Sequence, residues 1–132
     1  MCIRDSAFTS DIDVLKQRVL CENLGPHHCY SDVAEIDGAH QATGVVASPP
    51  CLVYSQANRH SSEEDKVREA TKHTGEIRRI LGLLQPTVFI LEQTAGLKAS
   101  CPTAYALYNS ICDGLAYRIY PDARQPLGHA PA

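Results

Sequence analysis

The chain has no apolar stretch near the roughly 18 to 20 residues that a membrane-spanning helix needs. Its opening, MCIRDSAFTSDID, sets charges where the apolar part of a signal peptide would stand. Neither membrane insertion nor secretion is therefore expected. A basic surplus is also missing: 12 Lys and Arg stand against 15 Asp and Glu, a formal net charge of -3. That argues against a free-standing DNA-binding module, although an enzyme can hold its DNA contacts on another segment. The six cysteines, at 2, 21, 29, 51, 101 and 112, form no CxxC pair, and without a secretory signal they are expected to be reduced. The stretch PHHCYSD, with His27, His28 and Cys29, has no second ligand pair at finger-like spacing, so it reads as a loop and strand start and no metal is expected. Repeats and low-complexity segments are absent too.

What is present suits one domain or a piece of one: 132 residues, 44% hydrophobic and 20% charged. Ala7 to Ile12 reads as a short strand ending in acids. Asp13 to Asn23 reads as a helix, with Val14, Leu15, Val19 and Leu20 near helical spacing, stopped by Gly25 and Pro26. His28 to Tyr30 is a second brief strand. Val45 to Ser48 is a third, apolar without alternation, as a parallel strand buried on both faces would be. After the polar loop SQANRHSSEED, Ser62 is the expected N-cap of the clearest helix, with Glu63, Glu64 and Asp65 favouring its dipole. Val67, Ala70, Thr74, Ile77, Leu81 and Leu84 repeat at steps of three and four; Lys66, Glu69, Lys72, Glu76 and Arg79 take the other face, and Pro86 ends it. Thr87 to Leu91 is another buried strand. PTAYALYNSICDGL reads as a helix, followed by AYRIY and an irregular tail. Alternating strands and helices predict an α/β fold with a mostly parallel sheet flanked by helices.

Ligands of open parallel sheets sit beyond the carboxyl ends of the strands, and three strand ends here carry reactive residue types. Asp11 and Asp13 follow the first strand. Cys51 follows the third, in GVVASPPCLVYS. Glu92 ends the fourth. A thiol and a carboxylate on neighbouring strands would face one pocket. A cysteine after a strand is usually a small buried hydrophobe, and acids in turns are usually solvated. Two prolines before Cys51, each fixing φ, argue for a thiol held in place.

ASPPCLVYSQAN resembles the Pro-Cys loop of C5-cytosine DNA methyltransferases, whose usual form is Pro-Pro-Cys-Gln followed shortly by Ser. FILEQTAGL resembles that family's Glu-Asn-Val strand end, in the Glu-Gln-Thr form of fungal-type members. TSDID resembles the acidic strand end that holds the ribose of S-adenosylmethionine, and Asp32-Val33 the pair that contacts its adenine. The likeness spans roughly residues 7 to 120. It implies a partial Rossmann-like methyltransferase fold that acts on duplex DNA with a flipped cytosine, uses S-adenosylmethionine as cofactor, and needs no metal. Carried over position by position, it implies Cys51 and Glu92 as catalytic. Pro50, Ser55, Gln93 and Thr94 would contact the substrate, and Asp11, Ile12, Asp32, Val33 and Pro49 the cofactor. Residues 1–6 resemble a translated library adapter. Residues 7–120 would then be a partial catalytic domain and 121–132 an irregular tail. The expected location is nuclear in a eukaryote and cytoplasmic otherwise.

The implied chemistry suits the residue types. C5 of cytosine is a poor nucleophile. A thiolate adding to C6 makes C5 an enamine-like carbon, and a thiolate rather than a thiol is the reactive species. Glu92, at the end of an apolar strand, is expected to be desolvated, which favours a protonated carboxyl able to bond N3 of the base. The base must leave its stack to reach such groups. This sequence departs from the family pattern in places. Leu52 stands where Gln is usual, and Gln93-Thr94 where Asn-Val is usual. No Gly-rich cofactor loop precedes Ala7 and no Gln-Arg-x-Arg strand follows Tyr120, so the chain reads as an internal fragment inactive by itself. Three other readings compete. One is a tRNA-directed relative, although the usual Thr-Cys pair of RNA C5 enzymes is absent from the later strand. Another is a degenerate, non-catalytic methyltransferase scaffold. The third is a cysteine hydrolase drawing its base from His27, His28, His40, His60 or His73, which show no recognisable pairing.

Overall fold

Along the chain run β1 (Phe8–Ser10), α1 (Val14–Leu24), β2 (His28–Tyr30), β3 (Gly44–Ala47), α2 (Glu63–Leu84), β4 (Val88–Leu91), α3 (Leu97–Ser100) and α4 (Pro102–Asn109). Single 3-10 turns stand at Val33–Glu35, Leu52–Tyr54 and Ser110–Cys112. This is a computed structural model, and it describes residues 6–24, 27–55 and 60–115. Gly25 and Pro26, the segment 56–59 of the polar loop, AYRIY and the tail lie outside the described residues, as do residues 1–5.

The strongest periodicity gives the longest element, α2. Ser62 caps it: its hydroxyl accepts from the Asp65 N–H at 3.1 Å, and the Asp65 carboxylate accepts from the Ser62 N–H at 3.3 Å. At the far end Gln85 turns into the left-handed region (φ 44°) and its N–H closes on Leu81 O at 3.0 Å. Ala70, Thr74, Ile77, Ile80 and Leu81 are its buried residues. Lys66 and Arg79, assigned by spacing to the solvated face, instead reach across to backbone carbonyls. Lys66 Nζ donates to Ser100 O at 3.3 Å, and Arg79 donates to Ile36 O at 2.7 Å and Val33 O at 2.9 Å.

The strands form two parallel pairs, β1 with β2 and β3 with β4, and among the described residues no ladder joins the pairs. The registers are Phe8↔His28 to Ser10↔Tyr30 and Gly44↔Val88 to Ala47↔Leu91. Helix α2 is what connects them. Its Ile77 and Leu81 enter the main core with Tyr54, Leu97, Cys101, Ala104, Tyr108 and Ile111. Its Ile80 packs with Tyr30 and Ile36 in a smaller cluster under β1 and β2. Arg78 fastens α2 to the end of α4, donating to Ser110 O at 2.7 Å and Asp113 O at 3.0 Å. Gly38 has φ 81°, and a Cβ there would meet Leu83 Cγ at 2.9 Å, so both backbone and space call for glycine.

The fold class is α/β with small parallel sheets, as expected. Two local expectations fail. The third and fourth strands are not buried on both faces: Val46 is 73% exposed and Ile90 55%. One face of β3 and β4 contributes Ala47, Phe89 and Leu91 to the core. The alternate residues of both strands remain exposed, giving a period of two. Helix α1 likewise buries none of its residues, and Val14, Leu15 and Val19 point to solvent. Helix α3, only four residues long, had no periodic signal to announce it.

Candidate active site

Cys51 and Glu92 leave the same edge of one strand pair. Ala47 is the last residue of β3 and pairs with Leu91, the last of β4. Glu92 continues the ladder by one bond, its N–H donating to Ala47 O at 2.9 Å. Its carboxylate then accepts from Ser48 Oγ at 2.7 Å. Four residues past Ala47, Cys51 opens the 3-10 turn Leu52–Tyr54, with its C=O accepting from the Tyr54 N–H at 3.0 Å. Both Cys51 and Glu92 are exposed. The desolvation expected of Glu92 is thus not supplied by the described residues, because it stands one residue beyond the strand, at an open edge.

The loop carrying Cys51 is anchored from below. Tyr54 is fully buried, and its hydroxyl donates to Lys66 O at 3.1 Å in the first turns of α2. The other strand end is anchored through Gln93, whose side-chain N–H donates to Tyr108 Oη at 3.4 Å, while its own Oε1 accepts from the Thr94 N–H at 2.9 Å. The two tyrosine rings meet edge to face, centroids 6.2 Å apart at 85°. A Pro-Cys loop and a Glu-Gln-Thr turn on different strands therefore rest on one aromatic contact. Burial pushes both phenols up from their ordinary range; for Tyr108 the bond from Gln93 pulls the other way. His73 Nδ1 lies 3.4 Å from Tyr108 Oη. Burial holds this imidazole below its ordinary value, outweighing the Glu69 carboxylate 3.6 Å from Nε2.

The remaining expected contacts are placed as follows. Pro49 is half-buried and Pro50 exposed. Ser55 closes the 3-10 turn through its N–H to Leu52 O at 3.3 Å, and Thr94 O accepts from the Leu97 N–H at 3.1 Å. Leu52, beside Cys51, is 68% exposed, so the substitution of the usual Gln puts an apolar side chain on the open side of the loop.

Asp11, Ile12, Asp32 and Val33 gather at the carboxyl edge of the other pair, where Asp11 N–H reaches Tyr30 O at 3.4 Å. Asp11 Oδ1 accepts from the Asp13 N–H at 2.9 Å, and the Gln17 side chain bonds to Asp11 O. Asp32 caps the 3-10 turn Val33–Glu35: Oδ1 accepts from the Ala34 N–H at 2.9 Å. Glu35 answers it, accepting from Ser31 and from the Asp32 N–H, and the Ser31 hydroxyl chiefly holds this carboxyl below its usual range. Ile12, at 80% exposure, and Val33 present open apolar side chains next to these acids. Carboxylates to accept from ribose hydroxyls, beside apolar surface for a purine face, fit the chemistry of S-adenosylmethionine.

The candidates thus fall into two groups. Tyr54 ties the Cys51 loop to α2 at Lys66, and Arg79 ties Val33 to it thirteen residues later, a rise of about 20 Å along the helix. A cleft lined by Gly38, His40, Thr43, Leu83 and Gln85 lies at the opposite end of β3 and β4 and takes no part in either group. Sequence reading missed Ser48, Tyr54 and Tyr108. For Ser48 the available signal was its place as the first polar residue after the strand.

The chain matches a family model described as C-5 cytosine-specific DNA methylase over residues 4–116. No curated protein and no solved structure matches it.

Proposed function

Because the chain belongs to the C-5 cytosine-specific DNA methylase family, we propose that Cys51 is the nucleophile and Glu92 the base-binding acid of a DNA cytosine-5 methyltransferase. The observation that carries this reading is that the Pro49-Pro50-Cys51 loop and Glu92 leave one edge of a single parallel strand pair, with Ala47 bonded to Glu92. Parallel pairing delivers two distant segments to one edge, which is where such sheets bind ligands.

In this reading Cys51 as thiolate adds to C6 of a flipped cytosine, and the electron pair moves to C5, which becomes nucleophilic. Glu92 hydrogen-bonds the N3 side of the base and draws charge from the ring. S-adenosylmethionine, when bound, supplies the electrophilic methyl group. With the methyl group on C5 and the cofactor's neutral thioether as leaving group, loss of the C5 proton to water would then expel the Cys51 thiolate and restore the aromatic ring. Asp11 and Asp32 hold the ribose and adenine end, with Ile12 and Val33 against the ring. Pro49 lies against the cofactor. Pro50, Ser55, Gln93 and Thr94 shape the base site.

The finer assignments belong to the same proposal. Glu92-Gln93-Thr94 supports a fungal-type variant. The bare face of β3 and β4, with Val46, Val88 and Ile90 exposed, supports a fragment whose apolar surface is covered in a longer protein. Such a fragment is inactive alone, and residues 1–6 are adapter-derived. The location is nuclear in a eukaryote and cytoplasmic otherwise. The test is transfer of a tritiated methyl group by the protein expressed with its flanking reading frame. Label in duplex DNA at cytosine C5 supports the reading. Label in tRNA alone would favour the tRNA-directed relative, and none in either would favour a non-catalytic scaffold.

A further inference from the structure

Cys21 stands near the end of α1, and His27 and Cys29 flank the start of β2. The gap in sequence between Cys21 and the other two hides a convergence. The sulfurs of Cys21 and Cys29 and a ring nitrogen of His27 all lie within 4.8 Å of one another. Cys29 Sγ is 3.4 Å from His27 Nε2. His27 and Cys29 are two apart, so the extended chain turns both side chains to one face. The register brings Thr9 of β1 opposite Cys29, and Thr9 Oγ1 sits 2.9 Å from His27 Nε2 and 3.4 Å from Cys29 Sγ. Cys21 is exposed and the other two are half-buried, so the cluster is open to an ion from solvent.

We propose that Cys21, His27 and Cys29 form a binding site for a zinc-type divalent cation, which staples α1 to the β1–β2 pair. A tetrahedral ion with Zn–S near 2.3 Å and Zn–N near 2.0 Å sets neighbouring ligand atoms roughly 3.5 to 3.8 Å apart. The His27–Cys29 pair is already close to that spacing, and Cys21 needs to approach by no more than about 1 Å to meet the same tetrahedral geometry. Two thiols and one imidazole are a soft donor set that favours zinc over magnesium or calcium. Binding releases the thiol protons to solvent and forms two metal–sulfur bonds. Water takes the fourth position. Thr9 Oγ1 then donates to the Cys29 thiolate and braces the ligand. Helix α1 has need of such a staple, because it buries none of its residues and packing alone secures it weakly. The site is independent of the methyl-transfer reading.

The test is titration of the reduced 132-residue chain with Co2+ and then Zn2+. One equivalent of Co2+ should give thiolate-to-cobalt charge-transfer absorption, which Zn2+ displaces. Cys21→Ser, Cys29→Ser and His27→Ala should each weaken Co2+ binding at least about tenfold, while Cys112→Ser leaves it unchanged. Cys21 is exposed on a helix, so its serine variant keeps the fold, checked by circular dichroism. Saturating Zn2+ should also raise the unfolding midpoint of the wild-type chain and not of Cys21→Ser. Absence of charge-transfer absorption in the folded wild-type chain, or its persistence in the Cys21→Ser/Cys29→Ser double variant, overturns the proposal.

Discussion

The hydroxyl of Ser48 donates to the carboxylate of Glu92 at 2.7 Å, across the open ends of β3 and β4. These are the first residues beyond the ladder on each strand, and their bond fixes where the carboxylate stands before any base arrives. An exposed hydrogen bond of this kind contributes about 0.5 to 1.5 kcal/mol. In the protein expressed with its flanking reading frame, Ser48→Ala should therefore slow adduct formation on 5-fluorocytosine DNA about two- to thirteenfold. Equilibrium unfolding should change little, because both residues are at the surface.

Tyr54 should separate support of the loop from chemistry. Its ring is fully buried and its hydroxyl bonds to Lys66 O. Tyr54→Phe keeps the ring and removes one bond, for a loss of about 1 kcal/mol in urea unfolding. Tyr54→Ala leaves a cavity beneath the Cys51 loop and should lose about 3 to 5 kcal/mol. Equal losses in the two variants would contradict the packing described.

His73 should give the fold a pH dependence near neutrality. Nε2 faces Glu69, Nδ1 faces Tyr108 Oη, and Lys72 adds repulsion, but burial dominates and lowers the imidazole from its ordinary value of 6.5. The unfolded chain then takes the proton first as pH falls. The stability from neutral His73 is complete above the ordinary value and is lost as pH drops from there through the lowered one. Urea midpoints should fall between about pH 7.5 and pH 5.5 in the wild type and fall less in His73→Gln.

Helix α2 was legible because a long run of three- and four-residue steps, a serine cap and a terminal proline agree with one another. The strands were legible as strands, but their burial was not. Apolar sequence at Val46 and Ile90 reports a face suited to burial, and nothing among the described residues covers it. The same holds for Val14 and Leu15 of α1. Cys51 and Glu92 were legible as a motif. The contacts beneath them, Tyr54 against Tyr108 and Ser48 on Glu92, join segments far apart in sequence and carry no local pattern. Cys21 lacked a signal for the same reason: its partners sit across a helix end.

The bare face yields a prediction of its own. Ile90→Ser should shift the stability of the chain by no more than about 0.5 kcal/mol, since the side chain is already exposed. In the protein expressed with its flanking reading frame the same change should cost about 2 kcal/mol or more if the face is covered there. Equal, small effects in both would contradict the fragment reading.

The most direct measurement is covalent capture on 5-fluorocytosine duplex DNA with S-adenosylmethionine, using the protein with its flanking reading frame, followed by mass spectrometry of the joined peptide. The expected result is a DNA adduct on Cys51 that disappears in Cys51→Ser. A DNA adduct on Cys101 or Cys112, or methyl transfer that survives Cys51→Ser, would contradict the assignment of Cys51 as nucleophile.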